Sequence, residues 1–235
     1  AKKSHTWFAP FRPEEVNFNY TEANAWQYSL FVPQDISGHI KLMNGAKKYE
    51  EHLDNMFNAS TETSGRKQPD ITGLIGQYAH GNEPSHHTTY MYAYSGEHYK
   101  IADKVRYINN ELYTDEPNGL SGNEDCGQMS AWYILSSMGF YPVNPSNGAY
   151  VFGSPLFDEV SLNIPGQNKF KISAKNNSDK NIYIQSVSLN GEDYKYSYIT
   201  HKQILEGGKL EFVMGPNPNK NFGTEKKYRP KSIVY

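Results

Sequence analysis

The chain has one cysteine, no long apolar run and no surplus of either charge across its 235 residues. A single thiol, Cys126, permits no disulfide within the chain, so stability must come from packing, and the compartment is left open. No run approaches the roughly 18 apolar residues that would indicate a bilayer-spanning helix, and the opening AKKSHTWFAP lacks the apolar stretch of a signal peptide. Lys and Arg number 23 against 25 Asp and Glu, a net charge of −2. That balance supplies no general field to hold a phosphate backbone or an anionic membrane. Neither nucleic acid nor a membrane is an expected partner. Internal repeats and low-complexity tracts are also missing.

What the chain does have is tyrosine: 19 of them, with 11 Phe and 3 Trp, at a mean hydropathy of −0.75. Aromatic rings with polar tips pack through their faces and still offer an O–H or N–H, which suits surfaces that stack on sugars. With 37% apolar residues the composition is that of a packed globular protein of one large or two modest domains.

The hydrophobic period divides the chain near residue 145. Before it the pattern is helical. Residues 45–57 place Tyr49, Leu53, Met56 and Phe57 on one stripe, and 97–113 repeat Ile101, Val105, Ile108 and Leu112. A third helix is expected over 127–138, stopped by Gly139 with Pro142 beyond; it is apolar nearly all round and should be buried on several sides. From about 149 the period is two. Phe170, Ile172 and Ala174 alternate with polar residues, as do Leu210, Phe212 and Met214, with turn punctuation at Pro165-Gly166, Asn190-Gly191 and Gly207-Gly208. The expected class is α+β, a helical region at 1–145 followed by an antiparallel β segment, sheet or sandwich, at 146–235. Residues 216–235 read as an irregular tail.

Three segments depart from periodicity and concentrate polar chemistry. In Tyr20–Tyr28, Glu22 stands where a helix should begin, with Trp26 one turn further. It is either a carboxylate favoured by the helix N-terminus or an acid in an aromatic-walled pocket, where lost hydration would raise its pKa toward that of a general acid. Gly76–His87 packs His80, Asn82, Glu83, His86 and His87 between glycine and proline. Without HExxH, and with adjacent histidines pointing apart, zinc is disfavoured; amide and carboxylate oxygens suit a hard cation such as calcium. A buried polar network joining helices is the structural alternative. In Gly119–Trp132, Glu124 and Asp125 precede the third helix. Capping explains one acid better than two, and the flanking glycines allow close backbone approach to a ligand. Cys126 lies too close to these carboxylates to ionise readily as a nucleophile.

The strings YTEANAWQYSLFVPQD, GQYAHGNEPSHHTTYMY and GLSGNEDCGQMSAWYILSSMGFYPVNP, in this order, resemble the signature blocks of glycoside hydrolase family 92, and YVFGSPLFDEV, NIYIQSVSLNG and GGKLEFVMGPNPN extend the likeness over nearly the whole chain. The resemblance implies a calcium-dependent, inverting exo-α-mannosidase. Its catalytic domain would be an (α/α)6 barrel preceded by an N-terminal β-sandwich. It further implies that residues 1–145 are the C-terminal half of that barrel, that 146–235 close it, and that this is the C-terminal catalytic fragment of a larger polypeptide, inactive alone and prone to self-associate through its unfinished apolar face. Its partners are then a mannose-containing glycan and the rest of the parent polypeptide, and its compartment periplasmic or extracellular in a bacterium.

By motif position Glu22 matches the family's general acid and Asp125 its base. An inverting pair must stand about 6.5–9.5 Å apart to admit a water. The same resemblance puts Trp26, Glu83, His86, His87 and Glu124 in contact with the sugar and assigns calcium to Asn82, Glu83 and His86. Two departures stand out. Gln34 replaces a histidine common in the family, and Asn82-Glu83 replaces the His-Glu pair of α-1,2-selective members, leaving α-1,2 and α-1,3 linkages open. Retention of Glu22 argues against phosphate-linked mannose. The competing class is a carbohydrate-binding or structural module in which the acids hold a cation and nothing is hydrolysed.

Overall fold

The computed structural model describes residues 2–3, 5–166 and 169–232. Its helices are α1 Ala25–Ser29, α2 Ile36–Leu42, α3 Ala46–Asn58, α4 Tyr92–Ser95, α5 Lys100–Glu111, α6 Gln128–Met138 and α7 His201–Leu205. The expected stripe of α3 is the one that packs: Tyr49, Leu53, Met56 and Phe57 are all buried, each worth about 1.5–3 kcal/mol of transfer free energy. Helix α5 buries Ile101, Val105 and Ile108 in the same way, and α6 ends at Gly139, whose φ of +102° closes the helix in the left-handed conformation. Helix α6 is not enclosed on every side, however. Trp132, Ser136 and Met138 are buried, but Ser130 and Ala131 are exposed and Ile134 is 55% exposed, so an apolar edge of α6 meets solvent.

The strands fall into two groups. Three short pairs lie in the helical half: β1 Lys2–Lys3 with β2 Thr6–Trp7, β3 Glu15–Val16 with β4 Ser64–Gly65, and β5 Leu74–Ile75 with β6 Tyr78–Ala79. The others are β7 Phe140–Tyr141, β8 Ala149–Phe152, β9 Glu159–Leu162, β10 Phe170–Lys175, β11 Tyr183–Leu189, β12 Glu192–Asp193, β13 Tyr198–Thr200 and β14 Gly208–Gly215. They form a three-stranded sheet, β13-β8-β7, and a five-stranded one, β12-β11-β14-β10-β9. The alternation read from the sequence is the one observed, with Phe170, Ile172, Ala174, Leu210, Phe212 and Met214 on the inner face.

One feature of the sheet corrects the expectation of antiparallel pairing throughout. Strands β10 and β14 run parallel, with Phe170 opposite Gly208 and Lys175 opposite Val213. The long connection through β11, β13 and α7 gives the chain the crossover that parallel neighbours require. The tail beyond β14 is irregular apart from a 3₁₀ turn at Lys226–Tyr228, and its last three residues lie outside the described residues.

Two cores meet at the boundary expected near 145. One gathers the helices around Tyr49, Tyr78, Tyr90, Tyr92 and Trp132; the other is the inner face of the sheet. Strands β7 and β8 pair across the boundary. The halves are also tied by Arg106 of α5, buried to 5% exposure, whose guanidinium donates to Ser154 Oγ at 2.9 Å, to the Pro155 carbonyl and to Asn177 Oδ1. A buried guanidinium stays charged, so these acceptors carry its desolvation.

Candidate active site

Three loops bring their acids together. Glu22 precedes α1 but does not cap it. Asn24 does, accepting from Gln27 N with its side chain while its own amide donates to Gln77 Oε1 at 2.8 Å. The backbone around Glu22 is held from the opposite segment. Arg66 donates to the carbonyls of Tyr20 and Thr21, and Gln68 Oε1 accepts from Ala23 N at 2.6 Å. Ala23 itself is at φ +58°, a left-handed position that a non-glycine residue holds only when its surroundings impose it. Glu22 is therefore placed by side chains more than forty residues away, and the alternative of a simple helix cap falls.

The acid pair of the third segment divides in the same way. Glu124 takes the structural part: its carboxylate accepts from the backbone N–H groups of Gly127 and Ser130 at the start of α6. The side chain and backbone of Ser130, and then Gly127, hold its carboxyl below the usual range. Both oxygens face its own helix, so the contact with sugar expected of Glu124 is replaced by capping. Asp125 is the exposed member. It stands at φ +52°, and with Cys126 at +56° and Gly127 at +97° forms three successive left-handed residues that turn it away from the helix axis.

Glu83 meets both other acids. It opens a 3₁₀ turn, Glu83–Ser85, and burial, with a hydrogen bond and like-charge repulsion from Asp125 and a further contribution from Glu22, pushes its carboxyl up. Three carboxyl groups from Glu22, Glu83 and Asp125 thus share one electrostatic neighbourhood. Two tyrosines lie beside individual acids. Burial, then Glu22, pushes Tyr28 up, while burial, with a contribution from Glu83, pushes Tyr141 up to about 12. The aromatic side chain beside Glu22 is Tyr28, stacked on Tyr20 at 5.2 Å. Trp26, the aromatic expected there, instead stacks on His52 at 5.3 Å and lines a cleft of about 400 Å³ with Phe11, Pro13 and Tyr20, which has no acid among its described lining residues.

The histidines form the polar network that was the structural alternative for this loop. His86 donates from Nε2 to the His80 carbonyl at 2.8 Å, its Nδ1 accepts from Gln128 Nε2 at 3.0 Å, and its own carbonyl accepts from Trp132 Nε1 at 3.0 Å. Both ring nitrogens are thereby engaged, so His86 does not present an imidazole to a metal. His87 donates to the Leu30 carbonyl at 3.0 Å and packs edge-on to Phe31. Burial brings the pKa of both down to about 4. His80 lies between the Tyr78 and Tyr113 hydroxyls at 2.8 and 2.7 Å, and Tyr113 donates to the Met129 carbonyl. This network fastens the Glu83 loop to α6, the helix that Asp125 precedes.

A second fastening is a backbone contact. A Cβ added to Gly81 would lie 2.0 Å from Thr72 Oγ1 and 2.5 Å from the Ser121 carbonyl, so glycine is what allows the Glu83 and Asp125 loops to touch.

Among the described residues no three His, Cys, Asp or Glu side chains cluster as a ready metal site. The donors that fit a hard cation are two carboxylates, Glu83 and Asp125, and the amide of Asn82, which is buried and whose nitrogen has no hydrogen-bond partner. Oxygen donors of this kind match calcium rather than zinc. Residues that sequence inspection passed over are the supports, namely Arg66, Gln68, Gln77, Tyr113 and Gln128. Gln77 and Gln128 stand beside apolar residues, but Arg66 and Gln68 lie in the polar stretch STETSGRKQPD, where nothing in the sequence marks them out.

This is a carbohydrate-enzyme framework. The chain belongs to glycosyl hydrolase family 92, whose catalytic-domain model matches residues 1–216. The fold is similar to that of a family GH92 α-mannosidase from Bacteroides thetaiotaomicron, solved in complex with mannoimidazole, with a TM-score of 0.90 and 38% identity over 97% of this chain and 31% of that one. It is also similar to a family GH92 inverting mannosidase from Bacteroides thetaiotaomicron VPI-5482, at 0.82 and 34% over 97% and 32%. An uncharacterized secreted glycosidase of Arthroderma benhamiae is 30% identical over 215 residues, 90% of this chain and 26% of its own length. The chain spans about a quarter to a third of these relatives.

Proposed function

We propose that this chain contributes the acid and base of an inverting exo-α-mannosidase acting on terminal α-1,2- or α-1,3-linked mannose. The observation that carries the proposal is the convergence of Glu22, Glu83 and Asp125 from three loops. An inverting pair needs about 6.5–9.5 Å to admit a water, and we assign it, as the family resemblance does, to Glu22 and Asp125. In this scheme Glu22 gives its proton to the glycosidic oxygen as the bond to the leaving sugar breaks. Asp125 takes a proton from the water that attacks the opposite face of the ring. Glu83, whose carboxyl is pushed up by burial and by the neighbouring Asp125, lies beside the proposed base. Asn82, Glu83 and Asp125 are the residues we assign to calcium, which when bound would polarise the sugar hydroxyls it touches.

The mannosidases of similar fold support this assignment of substrate, and the secreted relative supports an extracellular setting. Because the chain spans about a third of those mannosidases, we assign the remaining walls of the sugar pocket to polypeptide outside residues 1–235. The helical half would form part of an (α/α)6 barrel with that polypeptide, the open edge of α6 at Ile134 being one seam. On its own the chain is expected to turn over α-mannosides at a negligible rate and to self-associate.

The test is Glu22→Gln in the full-length protein. Hydrolysis of an α-mannobioside should fall by about 10²–10⁴-fold with sugar affinity retained, and wild-type product should appear as the β-anomer by NMR. Unchanged turnover in Glu22→Gln would remove the assigned acid, and α-anomeric first product would remove inversion. Retained sugar binding with no hydrolysis in the wild type would favour the binding-module alternative.

A further inference from the structure

The tyrosine surplus is not used up by the helical core and the acid loops. Tyr194, Tyr196, Tyr198 and Tyr228 gather beside β13, with Tyr196 centred 5.4 Å from Tyr194, 5.6 Å from Tyr198 and 5.3 Å from Tyr228. Next to them a cleft of about 200 Å³ opens between β11 and the segment that follows β14. Its apolar lining is Val187, Tyr194, Phe222 and Tyr228, and polar side chains including Ser186, Asp193 and Asn221 complete it.

These rings are held in place. The Tyr194 hydroxyl donates to the Tyr198 carbonyl at 3.0 Å, Phe222 packs edge-on to buried His98 at 4.9 Å, and the Lys227 ammonium lies 4.7 Å from the Tyr228 ring centre. The polar groups are less committed. Among the described residues the Asn221 side-chain amide and the Ser186 hydroxyl make no hydrogen bond, although the Asn221 backbone N–H donates to Asn219 Oδ1 and its carbonyl accepts from Thr224; both residues are exposed. Charge is balanced locally, Asp193 by Lys195 at 3.8 Å and Glu225 by Lys227 at 3.1 Å, so no net charge selects an ion. A fixed aromatic floor, uncommitted amide and hydroxyl groups at the rim and room for a single ring match one ligand class, a pyranose with one apolar face and outward hydroxyls.

We propose that this cleft is an accessory binding site for one neutral hexopyranose unit of a glycan, sharing no residue with the acid cluster. Tyr194, Phe222 and Tyr228 take the apolar face of the ring, and Asn221, Ser186 and Asp193 take its hydroxyls. The choice of mannosides as first probe rests on the proposed activity; the site itself does not.

The test is an NMR titration of the labelled 235-residue chain with methyl α-mannoside, methyl α-glucoside and methyl α-galactoside. Saturable shifts at the Asn221, Gly223 and Tyr228 amides are expected with at least one of them. Asn221→Ala, whose side chain has no partner to lose, should weaken binding about fivefold, and Tyr228→Phe should retain it within about twofold. Tyr228→Ala should weaken it tenfold or more. No saturable shift at these amides with any of the three sugars, or an Asn221→Ala variant that binds like wild type, would overturn the proposal. The same shifts should persist in Glu22→Gln, so loss of hydrolysis and loss of this site are read separately.

Discussion

Between Asn24 and Asn109 the core encloses four histidines, His80, His86, His87 and His98, together with Asn24, Gln27, Gln77, Asn82 and Arg106; beyond residue 150 the buried polar side chains among the described residues are three serines. The sheet half excludes water with apolar side chains, among them Phe152, Phe170, Ile172, Leu210, Phe212 and Met214. An apolar face specifies that strands pack, and a period of two suffices to say which residues face inward. Three loops that must hold carboxyl groups against one another need directed bonds, because each unpaired buried polar group is costly and so only one arrangement satisfies them all. The acids sit in the half built that way.

The largest effect of a single substitution should come from the apolar half. Phe212→Ala removes a fully buried ring from the sheet core and should cost about 3–5 kcal/mol by denaturant unfolding. A cost near 1 kcal/mol would show that the sheet core is looser than its burial indicates.

Acid should act on the other half. Burial disfavours the cation and brings His86, His87 and His98 down to about 4 in the folded chain, and it holds His80 well below the usual imidazole range. Above about pH 6.5 all four are neutral whether folded or not. As pH falls from 6.5 toward 4, the unfolded chain binds protons that the folded chain refuses. Stability should then decline by on the order of 1 kcal/mol per pH unit for each histidine. Amide exchange across that window should rise first in residues 78–100 and last in β10, β11 and β14. Uniform loosening of both halves would break the contrast.

A smaller change should sharpen it. Gly81→Ala drives a methyl group into the Ser121 carbonyl and should cost about 1–3 kcal/mol, with NMR shifts that reach the Asp125 turn but not β14. Smallest is Asp125→Gly, which relieves a left-handed non-glycine residue and should stabilise the chain by about 1 kcal/mol. In the same variant the Glu83 carboxyl should titrate lower than in wild type, because the hydrogen-bonded like charge beside it is gone. An unchanged Glu83 would separate the two loops.

Much of this contrast is legible in the sequence. The stripes of α3 and α5, the stop at Gly139 and the inner faces of β10 and β14 follow from local spacing, since periodicity reports which side chains share a face. The parallel pairing of β10 with β14 does not, because register between distant strands is set by the path of the intervening chain. The acid loops are harder still. Family resemblance selects Glu22 and Asp125, but spacing could not tell Glu124 from Asp125; the distinction is a backbone turn, visible only when three left-handed residues aim one carboxylate at its own helix and the other outward. Likewise the outward look of HGNEPSHH gave no sign that His86 and His87 would spend their ring nitrogens on the carbonyls and amides of remote segments.

The Arg106 guanidinium bears on how this polypeptide can be dissected. Its three acceptors all belong to residues 154–177, so expression stopping at the change of period would strand a permanent cation in a dry interior. A helical piece ending at 145 should misfold or precipitate. Library construction, isotope labelling by segment and domain grafting should all treat residues 100–177 as indivisible.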